Sequence, residues 1–437
     1  MEINPVKGTH DVVEEEALAY QEIEKIMRSV AEVYGFNEYR TPVLEYSELF
    51  SRSVGESSDI VRKEMYTFLD KANRSVTMRP EWTASIVRSI VSNKLYATKD
   101  LPIRAYYMGP SFRYERPQAG RYRQFNQFGV ELIGEKNPYY DAEIIVLGYS
   151  ILRFLGFQDI TLKINTLGDD VSKSAYQKAI KTYFAKHIDK MCDDCKERLQ
   201  INPLRILDCK VEEDQKIVRK APKMSSYLNE ESRDYFNKVT TLLDNMEIPF
   251  EIDETLVRGL DYYSDLVFEF HYLDKQKKSI GALGAGGHYD KLVSELGGGP
   301  LHGVGFAFGE ERVYEILRQE KLIPDLQERS DIYVMSISKN ELDYAYDIAM
   351  RLRFNGYRTI CNYSDKTLKS QFKTATKHNA YFAVIVGEEE AKNETFNIKN
   401  LATQEQQSAK LKDLQTVVDK LFEEIEIEER EVAEAEE

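Results

Sequence analysis

The run Phe112–Gln127, FRYERPQAGRYRQFNQ, concentrates the groups that could bind a nucleotide. Arg113 and Glu115 precede a turn marked by Pro117 and Gly120, and Arg121, Arg123, Phe125, Gln127 and then Glu131 follow it. Side chains of a strand alternate faces. A hairpin here would therefore set Arg121, Arg123, Phe125, Gln127 and Glu131 on one face, with Arg113 and Glu115 on one face of the partner strand. Guanidinium forks match phosphate oxygens, an aromatic plate stacks on a base, and a Gln and a Glu suit a small polar molecule. The pattern predicts an ATP site beside a second-substrate site. Any one of these charges alone would more often merely solvate a hairpin, so the reading rests on their joint spacing.

A second cluster is GVGFAFGEER, Gly303–Arg312, a glycine-punctuated strand running into a helix. Arg312 then stands near a helix start, where free backbone N–H groups favour phosphate. Phe308 occupies the place of the third glycine of the dinucleotide fingerprint, and no glycine precedes Lys-Ser or Lys-Thr at P-loop spacing. Rossmann and P-loop nucleotide sites are disfavoured.

Several elements must position these groups. Apolar residues from Ala17 to Tyr34 recur at three and four, predicting a long amphipathic helix ended by Gly35. Phe36–Leu44 reads as a strand containing Pro42, and proline in a strand belongs at an edge or an interface, so a dimer contact is expected. Aromatic and β-branched segments at Arg104–Leu132, Leu256–Phe270 and Ile280–Phe308 alternate with glycine turns, as in an antiparallel sheet. Between these blocks, about 169–245, Lys, Asp, Glu and Tyr at helical spacing predict a helical insertion. Ile323–Arg329 reads as a linker, and beyond it strands alternate with helices up to a last helix at Lys410–Phe422, a small α/β domain. The expected organisation is an α+β catalytic domain over 1–325, an α/β domain over 331–425 and an acidic tail over 426–437, read as a frayed helix end or disordered.

The 437 residues are too many for one compact core, and 42% hydrophobic with 30% charged residues fits a globular chain. No apolar run spans a bilayer, no export signal opens the sequence, and four cysteines make no disulfide framework, so a cytoplasmic location is expected. A net charge of −15 excludes a coat for nucleic acid and leaves only local contacts. Cys192, Cys195 and Cys209, with His187, could be arranged around zinc, but the second Cys-x-x-Cys pair that would make such spacing convincing is missing, so ordinary thiols and no protein-bound metal are the expectation.

FRYER with its downstream arginines resembles motif 2 of class II aminoacyl-tRNA synthetases, GVGFAFGEER resembles motif 3, and the helix with Pro42 resembles the motif 1 dimer element. LVRGLDYYSDLVFEF (Leu256–Phe270) and GAGGHYDKLV (Gly284–Val293) are similar to the two histidine-specific signatures of histidyl-tRNA synthetases. KGTHD, RPEWT and NPLRILD, beginning at Lys7, Arg79 and Asn202, match the same family in its bacterial form, and the likeness extends up to the acidic tail.

The resemblance implies a homodimeric histidine–tRNA ligase that forms histidyl-adenylate and pyrophosphate from L-histidine and ATP with Mg²⁺, then acylates the 3′-terminal adenosine of tRNA(His). It implies that Arg113 meets the ATP α-phosphate with Arg258 opposite, that Arg121 and Arg312 meet the outer phosphates, and that Glu115 and Phe125 hold adenine. Glu81, Thr83 and Gln127 would take the amino and carboxylate ends of histidine, and Glu131, Tyr262, Tyr263 and Tyr289 its imidazole. Arg116 and Gln118 would face the acceptor stem, and the C-terminal domain would bind the anticodon. Two positions depart from the family pattern: His288 stands where arginine is commoner, and Trp82 where glycine is. The main rival is a regulatory paralogue that binds histidine without charging tRNA. Such paralogues lack the C-terminal domain, whereas this chain has one and keeps Arg113, Arg258 and Arg312.

Overall fold

The computed structural model describes residues 3–55, 58–117, 120–273, 279–323, 329–364 and 366–436. Two compact units emerge, Met1–Pro324 and Asp325–Glu437. Most of the linker Ile323–Arg329 lies outside the described residues.

The strands of the first unit are β1 (Asn37–Glu38), β2 (Leu44–Tyr46), β3 (Tyr66–Leu69), β4 (Ser75–Met78), β5 (Ile103–Phe112), β6 (Gln124–Gly134), β7 (Ile160–Thr166), β8 (Phe250–Ile252), β9 (Ser264–Leu273), β10 (Ser279–Tyr289) and β11 (His302–Gly309). Strands β2, β4 and β3 make a small antiparallel sheet. The rest form one sheet in the order β1-β5-β6-β11-β10-β9-β7-β8, antiparallel except where β1 and β8 add in parallel at the two edges.

The two faces of this sheet differ because the sequence alternates. One carries Phe128, Val130, Leu132, Phe268, Phe270, Val304, Phe306 and Phe308, all buried. They form a core with the helices Glu14–Val33 and Pro138–Phe154. The second helix starts where the Asn137 side chain accepts from Tyr139 N at 3.0 Å and Pro138 opens the first turn, a residue that fits there because that N–H has no helical partner. The other face is floored by small residues, with Ala105 opposite Glu131, Gly305 opposite both Glu131 and Gly287, and Gly303 opposite Tyr289.

The expected strand Phe36–Leu44 is interrupted. Pro42 has no N–H to give a ladder, and Arg79 Nη1 donates to the carbonyls of Thr41 (2.9 Å) and Pro42 (3.4 Å) in place of a strand partner. Between β7 and β8 lie the helices Asp170–Ala185, Asp193–Ile201, Glu212–Val218 and Glu230–Asn245. Asp169 and Asn229 cap the first and last by accepting from Ser172 N and Ser232 N, each at 2.8 Å. The first three share a core with Val257, Tyr263 and Val267.

In the second unit β12 (Ile332–Ser336), β13 (Thr359–Cys361) and β14 (Phe382–Val386) are parallel, and β15 (Thr395–Asn400) and β16 (Gln406–Lys410) extend the sheet antiparallel. The helices Leu342–Phe354 and Leu414–Glu436 pack on it through Ile348, Leu352, Leu414 and Val418. The last helix runs Leu414–Glu436 and carries the acidic segment.

Candidate active site

Glu131 projects from β6 onto the glycine-floored face and is 2% exposed. Its Oε1 accepts from Thr83 Oγ1 at 2.5 Å and from the Tyr107 hydroxyl at 3.4 Å, and its Oε2 accepts from the Tyr289 hydroxyl at 2.8 Å. The site exists only because nothing fills it from below. A Cβ on Gly305 would lie 2.1 Å from Glu131 Oε2, and one on Gly303 would lie 2.0 Å from the Tyr289 ring.

The Tyr262 ring lies 4.6 Å from that of Tyr263 and 5.7 Å, edge-on, from that of Tyr289. Three tyrosines thus wall one side. The Arg258 guanidinium reaches over the Tyr263 ring at 5.5 Å, and its Nη1 donates to Glu269 Oε1 at 2.7 Å. Its Nε is buried and donates to nothing among the described residues. The loop that bears Arg258 is pinned, since Asn165 Nδ2 donates to the Leu256 carbonyl at 3.0 Å. Burial works against the Glu269 charge, but His271 at 2.9 Å and Arg258 together hold its carboxyl below the usual range.

Glu81, whose charge couples to that of Glu131, is 4% exposed; its Oε1 accepts from Ala84 N at 3.0 Å, and its buried Oε2 has no partner among the described residues. Burial pushes the Glu81 carboxyl up to about 7, opposed by the Ala84 N–H and the Arg113 charge. Burial likewise raises Glu131 to about 8, opposed by its Thr83 and Tyr289 hydrogen bonds. Trp82 explains its own presence. Its ring stacks on Tyr107 at 4.9 Å beneath the Arg79 guanidinium at 3.2 Å, anchoring the loop that carries Glu81 and Thr83.

The residues expected at the nucleotide stand where β5 ends and β6 begins. Arg113 Nε donates to the Pro80 carbonyl at 2.9 Å, and its guanidinium lies 5.2 Å over the Phe125 ring. Glu115 lies 4.0 Å from Arg113 and 3.6 Å from Arg121. Gln127 accepts from Ser111 Oγ at 2.7 Å. Arg312 borders the hairpin turn, within 3.4 Å of where a Cβ on Gly120 would sit and 3.1 Å of one on Gly281. Arg116 is exposed, and Gln118 lies outside the described residues.

Arg123 corrects the strand-face reading. The ladder starts only at Gln124, and Arg123 donates to the Glu115 carbonyl at 3.2 Å and covers the Tyr114 ring at 3.8 Å. It braces the turn against the N-terminal segment, Arg123 N donating to Gly8 O at 2.7 Å.

The family model described as Histidyl-tRNA synthetase matches residues 8–313, and that described as Anticodon binding domain matches residues 331–421. A histidine–tRNA ligase of Bacillus licheniformis is 45% identical over 413 residues, 94% of this chain and 97% of its own. That of Bacillus subtilis is 44% identical over 406 residues, 93% of this chain and 96% of its own. The apo histidyl-tRNA synthetase of S. aureus matches with a TM-score of 0.80 at 35% identity, over 94% of this chain and 98% of its own. The chain belongs to the histidyl-tRNA synthetase family.

The synthetase fold is an antiparallel-rich class II sheet followed by an anticodon-binding domain, as the motifs implied. Its activity is that of a histidine–tRNA ligase, and the regulatory alternative is not favoured. A protein titled ATP phosphoribosyltransferase regulatory subunit/histidyl-tRNA synthetase from Bacillus halodurans shares the fold at a TM-score of 0.59, but only 20% identity.

His288, the departure from the family's arginine, is 1% exposed and precedes Tyr289 on β10 of this synthetase. Both ring nitrogens are engaged, Nδ1 with Asp141 Oδ1 at 3.0 Å and Nε2 with Asp290 Oδ1 at 2.9 Å, while His302 Nδ1 meets Asp290 at 2.6 Å. No His288 nitrogen is left for a metal, although His288, Asp290 and His302 lie close enough to hold one. Burial opposes the charge, yet the two carboxylates outweigh it and push His288 up to about 10, so the ring serves as the cation that arginine would supply. Because the folded value exceeds the unfolded one of about 6.5, this stabilisation is full below about pH 6.5 and is lost as pH rises toward about 10. Denaturant midpoints measured across that window should fall for the wild type. His288→Gln should be less stable at the acid end by about 3–5 kcal/mol and show a flatter profile; parallel profiles would contradict a charged His288.

Proposed function

We propose that this histidine–tRNA ligase seats histidine on the glycine-floored face, with the imidazole against Glu131 and the tyrosine wall and the α-ammonium toward Glu81, Thr83 and Gln127. The carrying observation is Glu131, a carboxylate buried at 2% exposure, with Thr83 and Tyr289 fixing its two oxygens toward the cleft. An acceptor for one ring nitrogen and a hydroxyl for the other would disfavour amino acids lacking them by about 10⁴ or more, since the polar groups of the pocket would be left unpaired.

ATP lies beyond, its adenine between Glu115 and Phe125 and its outer phosphates toward Arg121 and Arg312. A histidine carboxylate oxygen attacks the α-phosphorus, the bond to pyrophosphate breaks, and charge grows on the α-phosphoryl oxygens between Arg113 and Arg258. The 3′-terminal adenosine hydroxyl of tRNA(His) then attacks the histidyl carbonyl carbon, and AMP leaves. Mg²⁺ would enter with ATP and would offset charge on the phosphate oxygens beside Arg121 and Arg312. Arg116 and Gln118 face the acceptor stem. A second copy of this chain covers the first unit near the small sheet, where Leu44, Tyr46, Phe68 and Leu69 are 46–65% exposed. No helix among the described residues is long and apolar enough to cross a membrane, and we place the dimer in the cytoplasm.

Histidine-dependent ATP–pyrophosphate exchange tests this reading; exchange supported equally by other amino acids would overturn the seat. The two carboxyls give a pH signature. Both must be ionised to accept from the α-ammonium and the ring N–H, so kcat/KM for histidine should climb as pH passes through about 7 to 8. In Glu131→Gln the upper part of that climb should vanish and KM for histidine should rise, with KM for ATP little changed. An unaltered profile would place the imidazole elsewhere.

A further inference from the structure

We propose that Cys192, Cys195, Cys209 and Asp214 form a zinc site that ties together the helical insertion. One ligand atom from each of the four lies within 4.8 Å of the others. Cys192 and Cys195 come from the first turn of the helix Asp193–Ile201, Cys209 follows the turn Pro203–Asp208, and Asp214 belongs to the helix Glu212–Val218. No second Cys-x-x-Cys pair marks the site in the sequence; the fold completes the set with one cysteine and one carboxylate.

The geometry matches tetrahedral zinc. Zn–S bonds of about 2.3 Å at the tetrahedral angle place two sulfurs about 3.8 Å apart, and Cys192 Sγ lies 3.8 Å from Cys209 Sγ. A sulfur and a carboxylate oxygen would stand about 3.6 Å apart, and Cys209 Sγ to Asp214 Oδ2 is 3.2 Å, a difference that a small carboxylate rotation closes.

Asp214 is 1% exposed, accepts from the Cys192 N–H at 3.1 Å and the Cys209 thiol at 3.2 Å, and forms no ion pair among the described residues. Three sulfurs beside one carboxylate oxygen suit a soft divalent ion such as zinc over magnesium or calcium. A disulfide requires the two sulfurs to approach to about 2.05 Å and leaves the third thiol over.

The clamped segment also reaches the histidine wall. Asn202 Nδ2 donates to Asp261 Oδ1 at 2.9 Å, immediately before Tyr262, and Arg205 donates to Asp59 at 3.4 Å. Metal binding would therefore fix the insertion beside that wall.

Elemental analysis of the full chain, purified under reducing conditions without a polyhistidine tag, should find about one zinc per chain. A thiol-specific mercurial should release it, and cobalt added to the stripped, reduced protein should give thiolate charge-transfer and tetrahedral d–d bands. Asp214→Asn should weaken zinc affinity by about tenfold or more, whereas Cys361→Ser, outside the cluster, should retain a full equivalent. Metal-free protein that also shows no cobalt bands overturns the proposal, as does a Cys192–Cys209 cystine in protein kept reduced. The cobalt readout uses the unaltered chain and so does not depend on a variant folding.

Discussion

Arg258→Ala is expected to slow histidine-dependent pyrophosphate exchange by about 10²–10³-fold while the chain stays folded. Removing one preorganised donor to developing charge costs about 3–4 kcal/mol of transition-state stabilisation, and each 1.36 kcal/mol is a factor of ten. The fold should tolerate the change because Glu269 keeps His271 as a partner at 2.9 Å and the loop stays held through Asn165. The loss should fall on kcat more than on either KM, as expected for an interaction made chiefly in the transition state. Exchange within about tenfold of wild type would reassign Arg258 to supporting Glu269.

Deleting Asp331–Glu437 is expected to separate the two half-reactions. Every residue assigned to histidine or ATP lies in the first unit, and each unit has hydrophobic clusters of its own. The truncated chain should keep histidine-dependent exchange, provided it still dimerises. The positive charge it loses is local. Lys369, Lys373 and Lys377 recur at every fourth position of the helix Leu368–Lys377 and are exposed, as is Lys366. Arg351, by contrast, pairs with Asp347 at 2.9 Å, and Arg353 donates to the Thr359 carbonyl at 3.0 Å, so these two serve their own domain at least in part. Losing two or three base or phosphate contacts worth about 1–3 kcal/mol each should lower kcat/KM for tRNA about 30-fold or more. Both rates measured on one truncated preparation test this, and undiminished charging would show that the domain does not anchor the tRNA.

Residues near one another in sequence, or bound by the alternation of a strand, were legible beforehand. The spacing of Phe125, Gln127 and Glu131 placed them on one face, and the ladder from Gln124 keeps them there. Arg123, by the same count, belonged with them, but it precedes the ladder, where alternation no longer applies and the nearest carbonyls capture the side chain. Contacts across long stretches of chain left no local trace. Asp141 and His288 are 147 positions apart, and Cys209 and Asp214 join Cys192 only after two turns of chain fold back. Strands β15 and β16 were missed for another reason: β16 reads QQSAK, with little β propensity, and forms as an edge on the neighbouring strand.

The floor of the proposed histidine cleft is made by subtraction. In that proposal, selectivity depends on atoms withheld at Gly303 and Gly305 as much as on the hydroxyls and carboxylate above them. Such a surface tolerates error in one direction only: a trimmed tyrosine leaves space that water can occupy, but a methyl group added from beneath meets a ring or carboxylate with no room to retreat. Attempts to redirect this enzyme to a different amino acid would therefore do better to redraw the wall and leave the floor bare.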